Sequence, residues 1–453
     1  MENKEKVVVR FPPSPTGLFH IGNARTFLFN YLFAKQNDGQ IVFRLEDTDK
    51  ERSKKEYAND IIENLKWLGI EPDFATTVKQ SERSEIYKKY LEKLISEDKA
   101  YLAEERKDEN DEAYSTSSGQ VIRFRNPNKK IVFNDLIRGD IEFDTTELKD
   151  FVIAKSLEEP VYHLAVVIDD FEMGVNYVIR GDDGISNTPR QILIQEAIGA
   201  PRPIYAHLPL ILAPDKTKLS KRKHGEQVSV SYYREKGYLP EAIKNFLAMV
   251  GWNPGIDQEI FSMTELIKIF DIKKVQKKGA IFNVEKLDWL NREYILHLSD
   301  KEKFENFNSE FSKTKWGGSE KTKDEVFMQK LLKLFLDKIH RWGEVKELVE
   351  MGEYDYFFEK PVLETNKICW KGEGKEKAKS ITEEVLSIMD EKDYEKIKEE
   401  IWKLAEKEGK GEVLWPLRYA LSGREKSPDP FTLIEILGIP EVINRIKNAI
   451  QTL

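Results

Sequence analysis

The chain has 453 residues, 40% of them hydrophobic and 34% charged, with a formal net charge of −8 and a single cysteine. That length exceeds one ordinary hydrophobic core, so two to four domains are expected. The acidic balance argues against a general nucleic-acid coat protein while leaving room for a local basic face, and one cysteine excludes a disulfide framework and every cysteine-rich zinc site.

In chain order, "MENKEK" opens without the apolar core of a signal peptide, and no apolar run reaches membrane-spanning length, so a soluble, cytoplasmic protein without a membrane partner is expected. Up to about residue 215, strand-length apolar runs alternate with helical stretches. The strand candidates are 6–11 (KVVVRF), 41–46 (IVFRLE), 161–168 (VYHLAVVI), 176–181 (NYVIRG) and 206–212 (AHLPLIL). Helices are expected over 23–36 and 189–198, the second begun by Thr188 as N-cap and Pro189 in the first turn. Strand and helix in alternation imply a parallel sheet with crossover helices, an α/β fold. The polar segment 104–119 reads as a loop or an abbreviated insertion. From about 230 onward the pattern is helical, with apolar residues at three- and four-residue spacing in EAIKNFLAMVGW and MQKLLKLFLDKI. The Glu- and Lys-rich stretch 371–411 reads as solvated helix faces.

Two stretches carry chemistry. In "RFPPSPTGLFHIGNARTFLF" the first strand leaves through a proline-rich turn into a helix that buries Phe27, Leu28, Tyr31 and Leu32. The turn lies at the carboxyl end of a strand, where open α/β sheets take ligands, and the helix start offers unpaired N–H groups suited to phosphate. Gly17 and Gly22 permit close approach of a nucleotide to the backbone, and His20 stands at the helix mouth within reach of a phosphate oxygen. The second stretch, "DKTKLSKRKHG" (215–225), places five Lys or Arg residues in one loop of an acidic chain. Emerging from the same sheet edge, its lysines can neutralise charge that develops on a triphosphate. No GxxxxGK[ST] and no GxGxxG is present, which excludes P-loop and dinucleotide enzymes.

Taken together, PSPTGLFHIG and KLSKR resemble the paired signatures of class I aminoacyl-tRNA synthetases, in the form used by bacterial-type glutamyl-tRNA synthetases. The resemblance continues in FRLEDTDKERS (43–53), DDFEMGVNYVIRGDD (169–183), NTPRQ (187–191), FNVEKLDWLNREYI (282–295) and WPLRYALSG (415–423), in the family's order and over nearly the whole chain. It implies a Rossmann-type parallel-sheet catalytic domain with an inserted acceptor-binding subdomain, followed by an all-α anticodon-binding region. It also implies ATP-dependent activation of L-glutamate and transfer to tRNA(Glu), with Mg²⁺ accompanying the nucleotide. By match to the motifs, His20, Lys218 and Lys221 take the catalytic role, and Gly17, His20, Gly22, Asn23 and Lys221 hold ATP. Arg10, Ser14, Glu46, Tyr162 and Arg180 hold glutamate, with Glu46 on the α-ammonium and the two arginines on the side-chain carboxylate. Arg52 and Arg418 are assigned to tRNA.

Four positions depart from the family pattern: Asn23 and Arg222 at the ends of the two signatures, Val166 where some members carry asparagine, and Gly184 where relatives mostly carry histidine or tryptophan. The insertion has no cysteines and is short, so no zinc is expected. The expected domains are 1–80 and 159–213 for the two catalytic halves, 81–158 for the insertion, 214–297 for a stem-contact segment and 298–453 for the anticodon-binding region, in a monomer. Two rivals are a glutamyl-transferring tRNA-modifying paralogue, which lacks the C-terminal helical region, and a non-catalytic tRNA-binding protein, which would be expected to lose His20 or Lys221.

Overall fold

The computed structural model describes residues 5–104, 119–371, 374–391 and 393–453, with the side chains of Lys221 and Arg222 outside it. The polar segment 104–119 lies, between its two ends, outside the described residues. The chain divides into two compact units, Met1–Tyr294 and Ile295–Leu453.

The first unit is built on parallel strands. β1 (Val8–Phe11) pairs with β2 (Gln40–Leu45), and β2 with the short β3 (Val78–Lys79). Between β1 and β2 runs α1 (Ile21–Gln36), and between β2 and β3 runs α2 (Lys55–Leu68). On the other side of β1, Asn176 N donates to Val8 O at 3.1 Å and Val8 N to Asn176 Oδ1 at 2.8 Å. This joins β1 to a second parallel pair, β10 (Tyr177–Gly181) and β11 (Ile204–Leu208). The chain therefore turns to opposite sides of β1 at its two crossings, a topological switch point, and the cleft outside the strand ends there is where such sheets bind ligands. α1 packs against both β1 and β10 and also touches α8 (Pro240–Met249) and α9 (Met263–Ile269). Buried residues surround it, Phe27, Leu28 and Leu32 among them, and Phe29 meets Phe270 with ring centroids 5.3 Å apart.

The intervening segment has strands that the sequence reading left unassigned. α3 (Ser84–Ser96) precedes an antiparallel sheet of β4 (Ala100–Glu104), β5 (Gln120–Phe124), β8 (Phe151–Ser156) and β9 (Glu159–Pro160). The hairpin of β6 (Lys130–Asp135) and β7 (Gly139–Asp144) instead joins the catalytic sheet, with Asp135 of β6 in register with Tyr205 of β11.

Three expectations are corrected. Residues 161–168 form no strand: they belong to the helix α4 (Tyr162–Glu172). Its run Leu164–Ile168 is buried among α3, α5 (Thr188–Ile198) and β8, and a continuous apolar run of this length does not reveal its own period. The run continues into Asp169 and Asp170, both buried. Successive strand residues face opposite ways, whereas here both carboxylates meet the same group of arginines. Residues 206–212 form two strands, β11 and β12 (Ile211–Leu212), because Pro209 interrupts the ladder. Thr188 is the first residue of α5 (Thr188–Ile198) instead of its N-cap, and its hydroxyl is bonded to Gly184 O and Arg180 instead of to the helix start.

The rest of the unit is helical: α6 (Lys221–His224), α7 (Val230–Glu235), α8 (Pro240–Met249), α9 (Met263–Ile269) and α10 (Val284–His297), with β13 (Ala280–Ile281) the one strand, paired to β12. The second unit's described elements are all helices. They comprise α11 (Asp300–Phe311), α12 (Glu325–Leu336), α13 (Gly343–Glu350), α14 (Thr365–Ile368), α15 (Lys375–Ile388), α16 (Tyr394–Glu408), α17 (Lys410–Ser422), α18 (Pro430–Leu437) and α19 (Ile439–Thr452). α17 touches α14, α15, α16, α18 and α19, which explains why Leu417 and Leu421 are buried. Among the described residues no helix is long and apolar enough to cross a membrane.

Asp169 ties α4 to the segment before it, accepting from Gln80 Nε2 at 2.8 Å, Arg83 Nε at 2.7 Å and the Tyr87 hydroxyl at 2.9 Å. Removing a buried carboxylate strands its cationic partners. Asp169→Ala is therefore expected to destabilise the first unit by about 3–5 kcal/mol, measured by urea unfolding followed through tryptophan fluorescence.

Candidate active site

The turn between β1 and α1 is held from several sides. Pro13 O accepts from Glu46 N at 3.0 Å, Pro15 O accepts from Lys54 N at 3.0 Å, and Phe19 N donates to Asp60 Oδ2 at 2.7 Å. Phe19 O accepts from Val230 N at 2.9 Å. The Ser14 hydroxyl donates to Glu46 O at 2.7 Å, so the ends of β1 and β2 are tied to each other. His20 is the N-cap of α1: its Nδ1 accepts from Gly22 N at 2.9 Å. A Cβ on Gly22 would come within 3.2 Å of that ring nitrogen, so glycine is what permits the close cap. Burial and the nearby Lys218 ammonium both push the His20 pKa down.

These elements surround a cavity of about 690 Å³ at the switch point. Its wall brings together Arg10, Ser14, His20, Gly22, Asn23, Glu46, Tyr162, Arg180 and Lys218, which approach from β1, the turn, α1, β2, α4, β10 and the basic segment. The structure does not bring Gly17 to the wall; it stands in the turn, where an added Cβ would meet nothing within 4 Å. Val166 faces the apolar core instead of the cavity. Arg52 is exposed and paired with Asp49 at 2.6 Å. The basic segment is ordered as a tight turn: Lys216 has φ 64°, Ala213 N donates to Thr217 O, and Leu219 N returns to Ile211 O. It thereby carries Lys218 to the cavity, 3.2 Å from Asp183 Oδ2. Lys221 opens α6, and its side chain lies outside the described residues.

Of the three arginines on the wall, Arg25 donates to the carbonyls of Pro209 and Val250, and Arg10 and Arg180 are in different states. Arg10 donates to Ile179 O at 3.2 Å and lies 3.4 Å from Asp170 Oδ2. Asp170 is shared with Arg44, whose Nη1 is 2.8 Å away; Arg44 Nη2 in turn holds Glu46 Oε1 at 3.0 Å. Burial raises the Glu46 pKa, with Arg44 opposing it, so an added cation next to Glu46 is favoured. Arg180 has no carboxylate partner among the described residues: its Nε donates to His207 Nε2 at 3.1 Å, and Nη2 to Gly184 O at 3.0 Å and Thr188 Oγ1 at 2.8 Å. Sequence reasoning missed Arg44, Asp170, His207, Asp135 and Thr188. The available signal was a charged residue inside an apolar strand, as in VFRL and YAHL.

Within the second unit, a cavity of about 510 Å³ is lined by Tyr356, Pro361, Tyr419, Gly423 and Arg424 among others. Arg418 lies beside it, stacked 4.9 Å from the Trp415 ring centroid and donating to Glu425 O at 2.8 Å. Among the described residues no group of three or more His, Cys, Asp or Glu side chains is arranged to hold a metal.

A parallel sheet with its cleft at the switch point, a helix N-terminus opening into that cleft and a lysine from a tight turn at its rim define a class I nucleotide-binding catalytic domain. Comparison with known proteins agrees. The family described as "tRNA synthetases class I (E and Q), catalytic domain" matches residues 6–119 and 107–289, and "Anticodon binding domain" matches 301–450. The glutamate–tRNA ligase of Carboxydothermus hydrogenoformans is 41% identical over 98% of this chain and 99% of its own. That of Aquifex aeolicus is 40% identical over 99% of each. A crystal structure of a glutamate tRNA ligase from Elizabethkingia meningosepticum, in complex with its amino acid, superposes with a TM-score of 0.87 at 34% identity, covering 99% of this chain and 100% of that one. The chain belongs to the glutamate–tRNA ligase family of class I aminoacyl-tRNA synthetases.

The His20 cap makes a prediction independent of substrate. Since Nδ1 accepts a backbone hydrogen bond, the ring is expected to be the neutral Nε2–H tautomer and to titrate below the ordinary imidazole value of about 6.5. Two-dimensional ¹⁵N NMR of the histidines checks both. A ring protonated on Nδ1 at pH 7 would contradict the cap.

Proposed function

We propose that this chain forms glutamyl-adenylate from ATP and L-glutamate in the cavity between the β1–α1 turn and Lys218, then passes the glutamyl group to the terminal ribose of tRNA(Glu). The observation that carries the reading is the convergence on one wall of a helix N-terminus, a lysine, a buried carboxylate and two arginines. In the first step an oxygen of the glutamate α-carboxylate attacks the α-phosphorus, and the bond from that phosphorus to pyrophosphate breaks. The attacking group is already ionised at pH 7, so no protein base is needed; the requirement is alignment and charge stabilisation. The N–H groups of the α1 start, with His20, Gly22 and Asn23, serve the phosphates, and Lys218 and Lys221 the charge that develops on them. In the second step a ribose hydroxyl, the 2′-hydroxyl in this class, attacks the acyl carbon and AMP leaves.

Glu46 takes the α-ammonium, Ser14 and Tyr162 contact the amino acid, and Arg10 and Arg180 take the side-chain carboxylate. An amide there would leave two desolvated guanidinium groups without a charged partner, which is the basis for rejecting glutamine. Mg²⁺ enters with the triphosphate. The cavity's own carboxylates, Glu46 and Asp183, are engaged by Arg44 and Lys218, so the ion's ligands are phosphate oxygens and water. Residues 81–158 serve the acceptor end of the tRNA together with Arg52. Residues 298–453, with Arg418, serve the anticodon, and the enzyme works as a cytoplasmic monomer.

Lys221→Ala is expected to lower glutamate-dependent charging of tRNA by at least about a hundredfold with the fold intact. Steady-state aminoacylation alongside circular dichroism reads this, and near-normal charging by the folded variant removes Lys221 from the mechanism. The reading also includes no zinc: elemental analysis of the purified protein should find less than one zinc per ten chains, and stoichiometric zinc refutes that part.

A further inference from the structure

Arg180 ends β10 at the cavity, and what surrounds it is unusual for a buried guanidinium. Its three hydrogen bonds go to neutral acceptors: an imidazole nitrogen, a hydroxyl and a backbone carbonyl. The imidazole is itself fixed. His207 is fully buried, and its Nδ1 lies 2.7 Å from Asp135 Oδ2. Arg180 Nε can only donate, so His207 Nε2 must accept, and the ring proton sits on Nδ1, directed at Asp135.

Asp135 is held with equal completeness. One carboxylate oxygen accepts from Ile137 N and Arg138 N, each at 2.9 Å, and the other accepts from His207 N at 3.0 Å as well as the ring. Asp135 comes from β6, inside the segment that interrupts the catalytic sheet in sequence. Gly184 lies directly against the guanidinium and accepts from Nη2 through its carbonyl. A Cβ on Gly184 would stand 2.5 Å from Arg180 Nε and 3.0 Å from its Cζ.

We infer that Asp135, His207 and Gly184 are positioning residues for recognition of the substrate's side-chain carboxylate, acting through Arg180. Asp135 orients the imidazole, the imidazole orients the guanidinium, and Gly184 leaves the space in which it lies. The neutral ring is the essential part. A carboxylate bonded directly to Arg180 would give the same orientation and cancel its charge. An interposed neutral acceptor transmits the orientation and leaves the positive charge for the ligand. Arg10, paired with Asp170, shows the alternative arrangement in the same cavity. The inference rests on the assignment of Arg180 to the glutamate side chain made above.

The test uses the full chain and measures aminoacylation with glutamate and ATP varied separately, each variant checked by thermal unfolding. Glutamine places an acceptor where His207 Nε2 lies, whereas asparagine reaches only the Nδ1 position. His207→Asn is expected to raise KM for glutamate by about tenfold or more while KM for ATP stays within about twofold. His207→Gln should recover most of the loss. Gly184→Ala reaches the guanidinium directly, should give the same split, and carries the test if His207→Asn does not fold. Equal losses in glutamate and ATP parameters, or an unchanged glutamate KM in a folded His207→Asn, overturn the inference. Arg180→Ala separates the two levels. If it leaves the glutamate KM unchanged, the assignment of Arg180 fails; if it raises that KM while the His207 and Gly184 variants do not, only the positioning inference fails.

Discussion

Arg44 has no exposed surface and lies among three carboxylates, 2.8 Å from Asp170, 3.0 Å from Glu46 and 3.6 Å from Asp169. A guanidinium is buried at this depth only when its charge is matched and its donors are occupied. The surroundings match the charge collectively and occupy both terminal nitrogens, while Nε has only the carboxylate of Asp169 nearby, at 3.6 Å. Arg10 and Arg44, with Arg83 at the margin, face Asp169, Asp170 and Glu46, so positive and negative groups balance. The cavity depends on this group. Asp170 is the common partner of Arg10 and Arg44, and Glu46 reaches the cavity wall from the far side of Arg44. The placement of Arg10 and Glu46, the groups proposed to meet the amino acid's two ends, thus depends on a residue that does not itself line the cavity.

In the assignment proposed above, Arg10 and Arg180 divide the work of recognition by how their charge is matched. Arg10 is partly neutralised and well anchored, whereas Arg180 is anchored through neutral groups and keeps its charge. A ligand carboxylate gains from both, while an amide gains hydrogen bonds from both and full compensation from neither. This asymmetry makes charge, more than shape, the discriminating quantity at the side-chain end. At the other end, burial pushes the Glu46 pKa up, so a cation beside it would stabilise its carboxylate.

What could be read from the sequence and what could not separates along a physical line. Strands flanked by turns, the proline-rich exit, the His20 cap and the late helices have local signals, and the residues motif-matched to ATP and glutamate, other than Gly17 and Lys221, arrive on one wall. The 161–168 run carried no period of its own, and its helical form is decided by partners far away in sequence: Gln80, Arg83 and Tyr87 for Asp169, and Arg10 and Arg44 for Asp170. Likewise Thr188 has the local look of a helix cap, but Arg180, eight residues earlier, takes its hydroxyl. Asp135 was invisible because nothing near it in sequence reveals that β6 will lie beside β11. Local propensity is legible; assignments settled by long-range pairing of buried charge are not.

The proline-rich turn shows how the same logic reaches the nucleotide end. Proline has no N–H to donate, so a turn with Pro12, Pro13 and Pro15 has little internal backbone pairing beyond Thr16 N to Ser14 O at 2.9 Å. Its carbonyls are instead taken from outside, by Glu46 N and Lys54 N, while Phe19 is fixed by Asp60 and Val230. The prolines thus lower the turn's freedom and pass its remaining hydrogen bonds to β2, α2 and the segment after the basic turn. Since Glu46 is bonded through its backbone to this turn and through its side chain to Arg44, the helix mouth at His20 and the carboxylate at Glu46 are set within one connected frame. A reaction between an amino acid's carboxylate and a phosphorus needs that relation held to a fraction of an ångström. In this chain the backbone pairs of Pro13 with Glu46 and of Pro15 with Lys54 hold part of that relation independently of the lining side chains, and the Ser14 hydroxyl and the Glu46 carboxylate contribute the rest.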